Sequence, residues 1–335
     1  MDPRYLPWTG ERVPLDVARH EGGRVAGRVL TGPTRTLLQD ESAVVELASC
    51  SLAASHGDWV AGDLVVADDG LLLRDVRVLT PSARDLPPEL GRVAAQRPHL
   101  RQRAAIVAAI RQVLNERGFL EVETPARVVN PGLEPHLRPF AAPGSDGTRF
   151  LVTSPELHLK RLLSAGYERV FELARCFRDD EAGALHRSEF LMLEWYRAFA
   201  GLDALARDVA EILGRCADAS GSHPSRAVAR CDLTKPPDTV EYFDVFERHA
   251  GRSPEGLEPS QRERIFSELV EPKLGRGRPT LVIDWPEDAS ALARLRTGAS
   301  GRRVAARMEL YVAGVELANG FDELTDPAEQ RARHE

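Results

Sequence analysis

Between Arg24 and Thr80 the chain alternates short β-branched or leucine-rich runs with Gly and Asp punctuation. RVAGRVL, AVVEL, DLVVA and, after a DDG turn, LLLRDVRVL are each of strand length. About five such strands in so short a span predict a small all-β barrel of the OB type. Residues 81–99, PSARDLPPELGRVAAQRPH, read as a linker because their prolines interrupt any long element. The pattern then turns helical. In RQRAAIVAAIRQVLNERG, Ile106, Val107, Ile110, Val113 and Leu114 share one face, and Gly118 is placed to end the helix. FLEVETP follows as a short strand stopped by Pro125. TSPELHLKRLLSAG predicts a second helix, with Ser154 as N-cap, Pro155 in the first turn and Gly166 past the end. LDALARDVAEIL is amphipathic through Leu202, Leu205, Val209, Ile212 and Leu213, and PTLVIDWP and RMELYVAGVELANGFDEL return to strand patterning. Helices and strands mix without regular βαβ alternation. The expected architecture is therefore an OB-like barrel over residues 1–80, a linker over 81–99, and an α+β domain with an antiparallel sheet flanked by helices over 100–335. KLGRGRPT has neither the spacing nor the Ser/Thr of a phosphate loop and reads as an ordinary basic loop.

Composition sharpens this picture in three places. A chain of 335 residues exceeds one typical core, which supports two domains. No apolar run approaches membrane-span length, and the start, MDPRYLPWTGERVP, lacks the form of a signal peptide. The four cysteines are scattered, with no CxxC pair, so a reduced cytoplasmic protein without a membrane partner is expected. A net charge of −7 argues against broad nucleic-acid binding.

The stretch FRDDEAGALHRSEFLMLEWY, residues 177–196, fits neither a surface helix nor a plain core strand. A charged loop leads into an apolar run that still carries Glu189 and Glu194. An arginine at a strand end beside an acidic loop suits a nucleotide: the guanidinium grips a phosphate, a carboxylate accepts the adenine amino group, and a ring stacks on the base. Glu194 interrupts a run otherwise suited to burial, where a carboxylate without a partner is expensive. Taken singly, other residues have plain readings. Glu156 is also a helix-start acid, Tyr196 a core residue, His186 a surface residue and Asn319-Gly320 a turn.

FRDDEAGALHRSEFLMLEWY resembles motif 2 of the class II aminoacyl-tRNA synthetases, and GFLEVETP after a long helix resembles motif 1, their dimer-interface element. TSPELHLKRLL, VELANGFDELTDPAEQ and PTLVIDWP resemble the lysine-specific branch, most closely its truncated paralogs that lysylate elongation factor P. The likeness runs from about Leu100 to the C-terminus. It implies a homodimeric, ATP- and Mg2+-dependent ligase that activates lysine or β-lysine as an adenylate and transfers it to elongation factor P. A tRNA-charging enzyme and a catalytically silent lysine- or nucleotide-binding paralog are the alternatives.

Residue by residue, the resemblance implies that Arg178 is catalytic on the α-phosphate, Asp180 takes the adenine amino group and Phe190 stacks on the base. His186 and Arg187 lie by the phosphates, and Glu316 and Leu317 also contact ATP. Ser154, Pro155 and Glu156 receive the substrate α-amino group, while Glu194, Tyr196, Asn319 and Glu323 line the lysine chain. Glu309 and Glu316 hold magnesium, as neighbours across a hairpin centred between Val312 and Ala313.

This chain departs from the family pattern at Asp180, where Glu is usual and Glu181 is the adjacent carboxylate. It departs again at His-Arg-Ser-Glu-Phe, where His-Asn-Pro-Glu-Phe is usual. No GxGxDR-like motif 3 follows, so the chain as given is expected to form adenylate poorly. In the tRNA-charging relatives the N-terminal barrel binds the anticodon. Here residues 1–80 hold eight arginines and no lysine against twelve acidic residues, with Tyr5, Trp8 and Trp59 the aromatics. A module gripping RNA is expected to be basic and rich in aromatic platforms, so a protein acceptor is expected and tRNA is not. Arg24, Arg28 and Arg35 are the arginines available for a local basic patch.

Overall fold

The computed structural model describes residues 12–31, 35–48, 54–82, 96–132, 137–179, 183, 185–220 and 231–334. Asp180, Glu181, Tyr5, Trp8 and most of the expected linker lie outside them. The chain divides into two compact units, residues 1–101 and 102–335.

In the first unit, β1 (Gly23–Thr31), β2 (Thr36–Gln39), β3 (Val44–Leu47), β4 (Trp59–Ala67) and β5 (Gly70–Thr80) close a barrel in the order β1-β2-β3-β5-β4. The closing β3–β5 contact is parallel, the others antiparallel. Alternate residues fill the interior: Val25, Val29, Leu38, Val45, Leu47, Val60, Leu64 and Leu73 are buried together. A short helix, α1 (Leu15–Glu21), adds Leu15 and Ala18 to that core. The strand that patterning did not single out is β2, TLLQ, which is too short to show an alternation.

Helix α2 (Arg97–Glu116), most of it in the second unit, begins two residues before the expected end of the linker. Gly118, at φ 76°, turns the chain out of it. The strand expected over FLEVETP is only β6 (Leu120–Glu121). It runs parallel to β9 (Arg169–Phe177), which pairs antiparallel with β10 (Glu189–Arg197). Between them come the short pair β7 (Arg127–Val128) and β8 (Phe150–Leu151) and helix α3 (Glu156–Ser164). Helix α4 (Leu202–Ser220) follows β10.

A second sheet orders β11 (Asp238–Glu241), β12 (Thr280–Pro286), β14 (Arg303–Val312) and β13 (Leu295–Thr297), with β15 (Val315–Phe321) also on β14. It is antiparallel except for β11–β12. Its aromatic core joins Tyr242, Phe246, Phe266, Trp285 and Tyr311. The mixed α+β architecture with mainly antiparallel sheets is the expected one. None of the described helices is long and apolar enough to cross a membrane.

Candidate active site

The alternation of β10 separates chemistry from core. Phe190, Met192, Glu194 and Tyr196 share one face, opposite Cys176, Ala174, Glu172 and Val170 of β9. Leu193 and Trp195, on the other face, join the hydrophobic core with Val113, Leu114, Phe119, Phe171 and Ile212. The apolar look of FLMLEWY thus has two causes: a buried face, and a ring platform on the functional one. The last residue of the core face, Arg197, meets the fully buried Asp208 of α4 through two N–H donors, at 3.1 and 2.8 Å. Arg117 reaches the same carboxylate at 2.6 Å. These pairs tie strand, helix and the end of α2 behind the site.

On the Glu194 face the expected substrate residues Ser154, Glu156, Glu194, Tyr196 and Glu323 come together, while Asn319 lies opposite Glu309. The N-cap of α3 is Pro155, one residue after the expected Ser154, whose Oγ accepts from the Glu156 amide at 3.1 Å and donates to Glu194 at 2.8 Å. Tyr196 donates its hydroxyl to the other Glu194 oxygen at 2.7 Å. Pro155 is buried at the helix start, where its missing N–H costs nothing. Burial pushes the Glu194 carboxyl up to about 7, the hydrogen bonds from Tyr196 and Ser154 opposing it. Tyr196 is pushed well above the usual phenol range by burial and the neighbouring carboxylates.

Lys160, which sequence reading passed over, completes the group. Its ammonium contacts Glu156 at 2.6 Å and Glu323 at 2.9 Å, and lies 5.9 Å from the Tyr196 ring centre. Burial favours its neutral form, but Glu323 and Glu156 outweigh that and hold it charged. Burial raises the Glu323 carboxyl above the usual range, against the pull of Lys160. The Glu-x-x-x-Lys spacing in PELHLK is the signal that places Lys160 on the Glu156 face of the helix.

At the other end of the face Arg178 follows β9. Its amide donates to the Ser188 carbonyl at 2.9 Å, its Nε donates to the Thr153 carbonyl at 3.4 Å, and its guanidinium lies 5.2 Å from the Phe190 ring centre. Arg178 and Phe190, expected at the α-phosphate and the base, are therefore adjacent. Arg187 instead turns onto its own loop, donating to the Gly183 and His186 carbonyls, and His186 is exposed.

The β14–β15 hairpin corrects one expectation. Its turn is Ala313-Gly314, with Val312 opposite Val315, one residue beyond the expected centre. A bulge at Leu317 then sets Tyr311 opposite Glu316 and Glu309 opposite Asn319. Glu309 and Glu316 are thus diagonal, and still on one face. The extra residue lets Glu316 and Asn319, three apart, both point the way of Glu309. Buried Glu309 accepts from Arg307 on one oxygen and from the Tyr311 hydroxyl on the other. Desolvation and the Glu309 charge push Glu316 up to about 7. Two carboxylates that resist sharing charge fit a divalent cation that also takes phosphate oxygens. Among the described residues no three acidic, His or Cys side chains converge to hold a metal by themselves.

The arrangement offers anionic recognition of amines at one end of a sheet face, and an arginine and a stacking ring at the other. Residues 89–335 match the family tRNA synthetases class II (D, K and N). Similar proteins include the elongation factor P–(R)-β-lysine ligase of Sodalis glossinidius, 38% identical over 266 residues that cover 71% of this chain and 77% of that protein. The proteins of the same name from an Enterobacter species and from Klebsiella pneumoniae are each 37% identical, over 72% and 71% of this chain and 78% and 77% of theirs.

Proposed function

Because the chain belongs to the tRNA synthetases class II (D, K and N), we propose that it is an ATP-dependent ligase that activates lysine or β-lysine and transfers it to a lysine side chain of elongation factor P. The observation that carries the reading is the cluster in which the Lys160 ammonium contacts Glu156 and Glu323 and lies near the Tyr196 ring, beside a Glu194 carboxylate that accepts from Ser154 and Tyr196. Glu156 takes the substrate α- or β-amine, and Glu323, Glu194 and Tyr196 take the terminal ammonium. A substrate carboxylate oxygen then attacks the α-phosphorus, and the bond to pyrophosphate breaks. Arg178 stabilises the charge that gathers on the phosphate oxygens, with Phe190 holding the base. The acceptor amine next attacks the activated carbonyl, expelling AMP and losing a proton.

Magnesium, when bound, neutralises the ATP phosphates, and Glu309 and Glu316 are the residues to hold it. In a chain extended through motif 3, Glu316→Gln is expected to weaken ATP binding about tenfold in magnesium and not at all in EDTA, measured by calorimetry. Equal weakening in both would refute the metal role.

A protein acceptor also accords with the barrel. Arg24 pairs with Asp63 at 3.3 Å, Arg35 with Glu46 at 4.0 Å, and Arg28 lies over the Trp59 ring at 5.6 Å. The three arginines available for an RNA patch thus have partners, and the described barrel's one aromatic already carries a cation. Since the chain as given is expected to form adenylate poorly, the test gives a version extended through motif 3 ATP, magnesium and either lysine or (R)-β-lysine, with elongation factor P and bulk tRNA in separate reactions. Intact-mass analysis is expected to find one added aminoacyl group on a lysine of elongation factor P, and acid precipitation no charged tRNA. Charged tRNA beside unmodified elongation factor P would overturn the proposal.

A further inference from the structure

Three carboxylates, Glu156, Glu194 and Glu323, meet at the proposed substrate pocket, and the protein supplies its own cation to them. An ordinary surface lysine four residues from a glutamate is mobile and contributes little. Lys160 differs: it is mostly shielded from water, and its second partner, Glu323, comes from the far end of the β14–β15 hairpin. Its ammonium also lies against the ring of Tyr196, whose hydroxyl is on Glu194. All three carboxylates therefore feel it, two directly and one through a neighbour.

We propose that Lys160 is a specificity-determining residue that sets the net charge of the ligand the pocket accepts, favouring an amino acid with a second amine over the corresponding decarboxylated diamine. This rests on reading the cluster as a pocket for a substrate with two amines. Lysine and β-lysine bring two ammonium groups and one carboxylate, a net charge of one. A diamine such as cadaverine brings the same two ammonium groups without the carboxylate, a net charge of two. Against three carboxylates alone the diamine gains most. The resident ammonium removes part of that gain and adds a favourable field for the substrate carboxylate. In a partly buried site such a field is only weakly screened by salt. A cell holds free diamines, so a pocket built from glutamates alone would be exposed to an unreactive competitor that has no carboxylate to activate.

Calorimetric titration of the full-length protein with lysine and with cadaverine tests this. In Lys160→Met the ratio of affinities is expected to move towards cadaverine by about tenfold or more, because a charge a few ångströms away has been removed. Lys160→Arg keeps the charge and is expected to hold the unmodified protein's preference. Should Lys160→Met fail to fold, Lys160→Gln makes the same charge change with a side chain that still donates to a carboxylate. Parallel loss of both ligands with an unchanged ratio would make Lys160 a structural strut and overturn the proposal. Failure of the unmodified protein to bind either amine would instead refute the pocket reading itself.

Discussion

Asp208→Ala is expected to destabilise the unit of residues 102–335 by about 3–5 kcal/mol, the cost of leaving buried charge without its partner. Asp208 is fully buried, and two arginines converge on it, Arg197 from β10 and Arg117 from the end of α2. Arg197 also packs over the Phe119 ring at 4.9 Å. Removing the carboxylate leaves Arg197 without its carboxylate partner and Arg117 with Glu211 alone, two largely shielded guanidinium groups facing each other. Asp208→Asn should lose nearly as much, since it keeps the shape and drops the charge. For a unit of this size the melting temperature should fall by roughly 10 °C. The strand carrying Glu194 and Tyr196 is held by this network, so lysine affinity should fall with it. A loss under about 1 kcal/mol would mean that the pairs behave as surface pairs do.

Glu194→Gln is expected to act in opposite directions on binding and on stability. Removing one partner of a buried ammonium–carboxylate contact should weaken lysine binding by about a hundredfold. Stability follows from the proton. The Glu194 carboxyl is raised from 4.5 to about 7 in the folded chain, so between those values the folded state holds a proton that the unfolded state has released. Its favourable contribution is complete below pH 4.5 and is lost as pH rises through about 7. The full cost of keeping it ionised above that is of the order of 3 kcal/mol. Glutamine avoids that cost but accepts one fewer hydrogen bond, which offsets about 1 kcal/mol. At pH 8 the variant should therefore be more stable than the unmodified protein by about 2 kcal/mol, and at pH 5 no more stable. Denaturant titrations at the two pH values measure this. A difference that does not grow with pH would show that Glu194 is not held protonated by burial.

Much of this was open to reading from the sequence, for identifiable reasons. Helix α3 is marked in the sequence by Ser154, Pro155 and Gly166, with the N-cap one residue later than expected, at Pro155. Helix α2 followed the stripe from Ile106 to Leu114, though it starts earlier, at Arg97, with Pro98 tolerated in its first turn. Of the expected substrate residues, Ser154, Glu156, Glu194, Tyr196 and Glu323 are brought together and Asn319 is set opposite Glu309 instead. What stayed hidden depends on partners distant in sequence. Asp208 falls on the buried stripe of α4, between Leu205 and Ile212, and periodicity alone cannot say that Arg117 and Arg197 will neutralise it. The spacing from Glu156 places Lys160 on the same helix face, but nothing local shows that Glu323, 163 residues away in sequence, meets it. The β14–β15 register was misjudged by one residue at the turn, and a bulge two residues further on has no mark of its own in GVELANG.

That bulge makes the hairpin's arithmetic part of its chemistry. Along a regular strand, positions an odd number apart project to opposite sides, so Glu316 and Asn319 would be separated by the sheet. Leu317 changes the parity. Exchanging its side chain leaves the count alone, and both groups keep their aim. Dropping the residue would give a smoother ladder and turn one of the two away from Glu309, with every acidic residue still in the chain. For this strand, then, point changes and single-residue deletions are different kinds of event: the first edits a contact, and the second dismantles the constellation by leaving its members intact and facing apart.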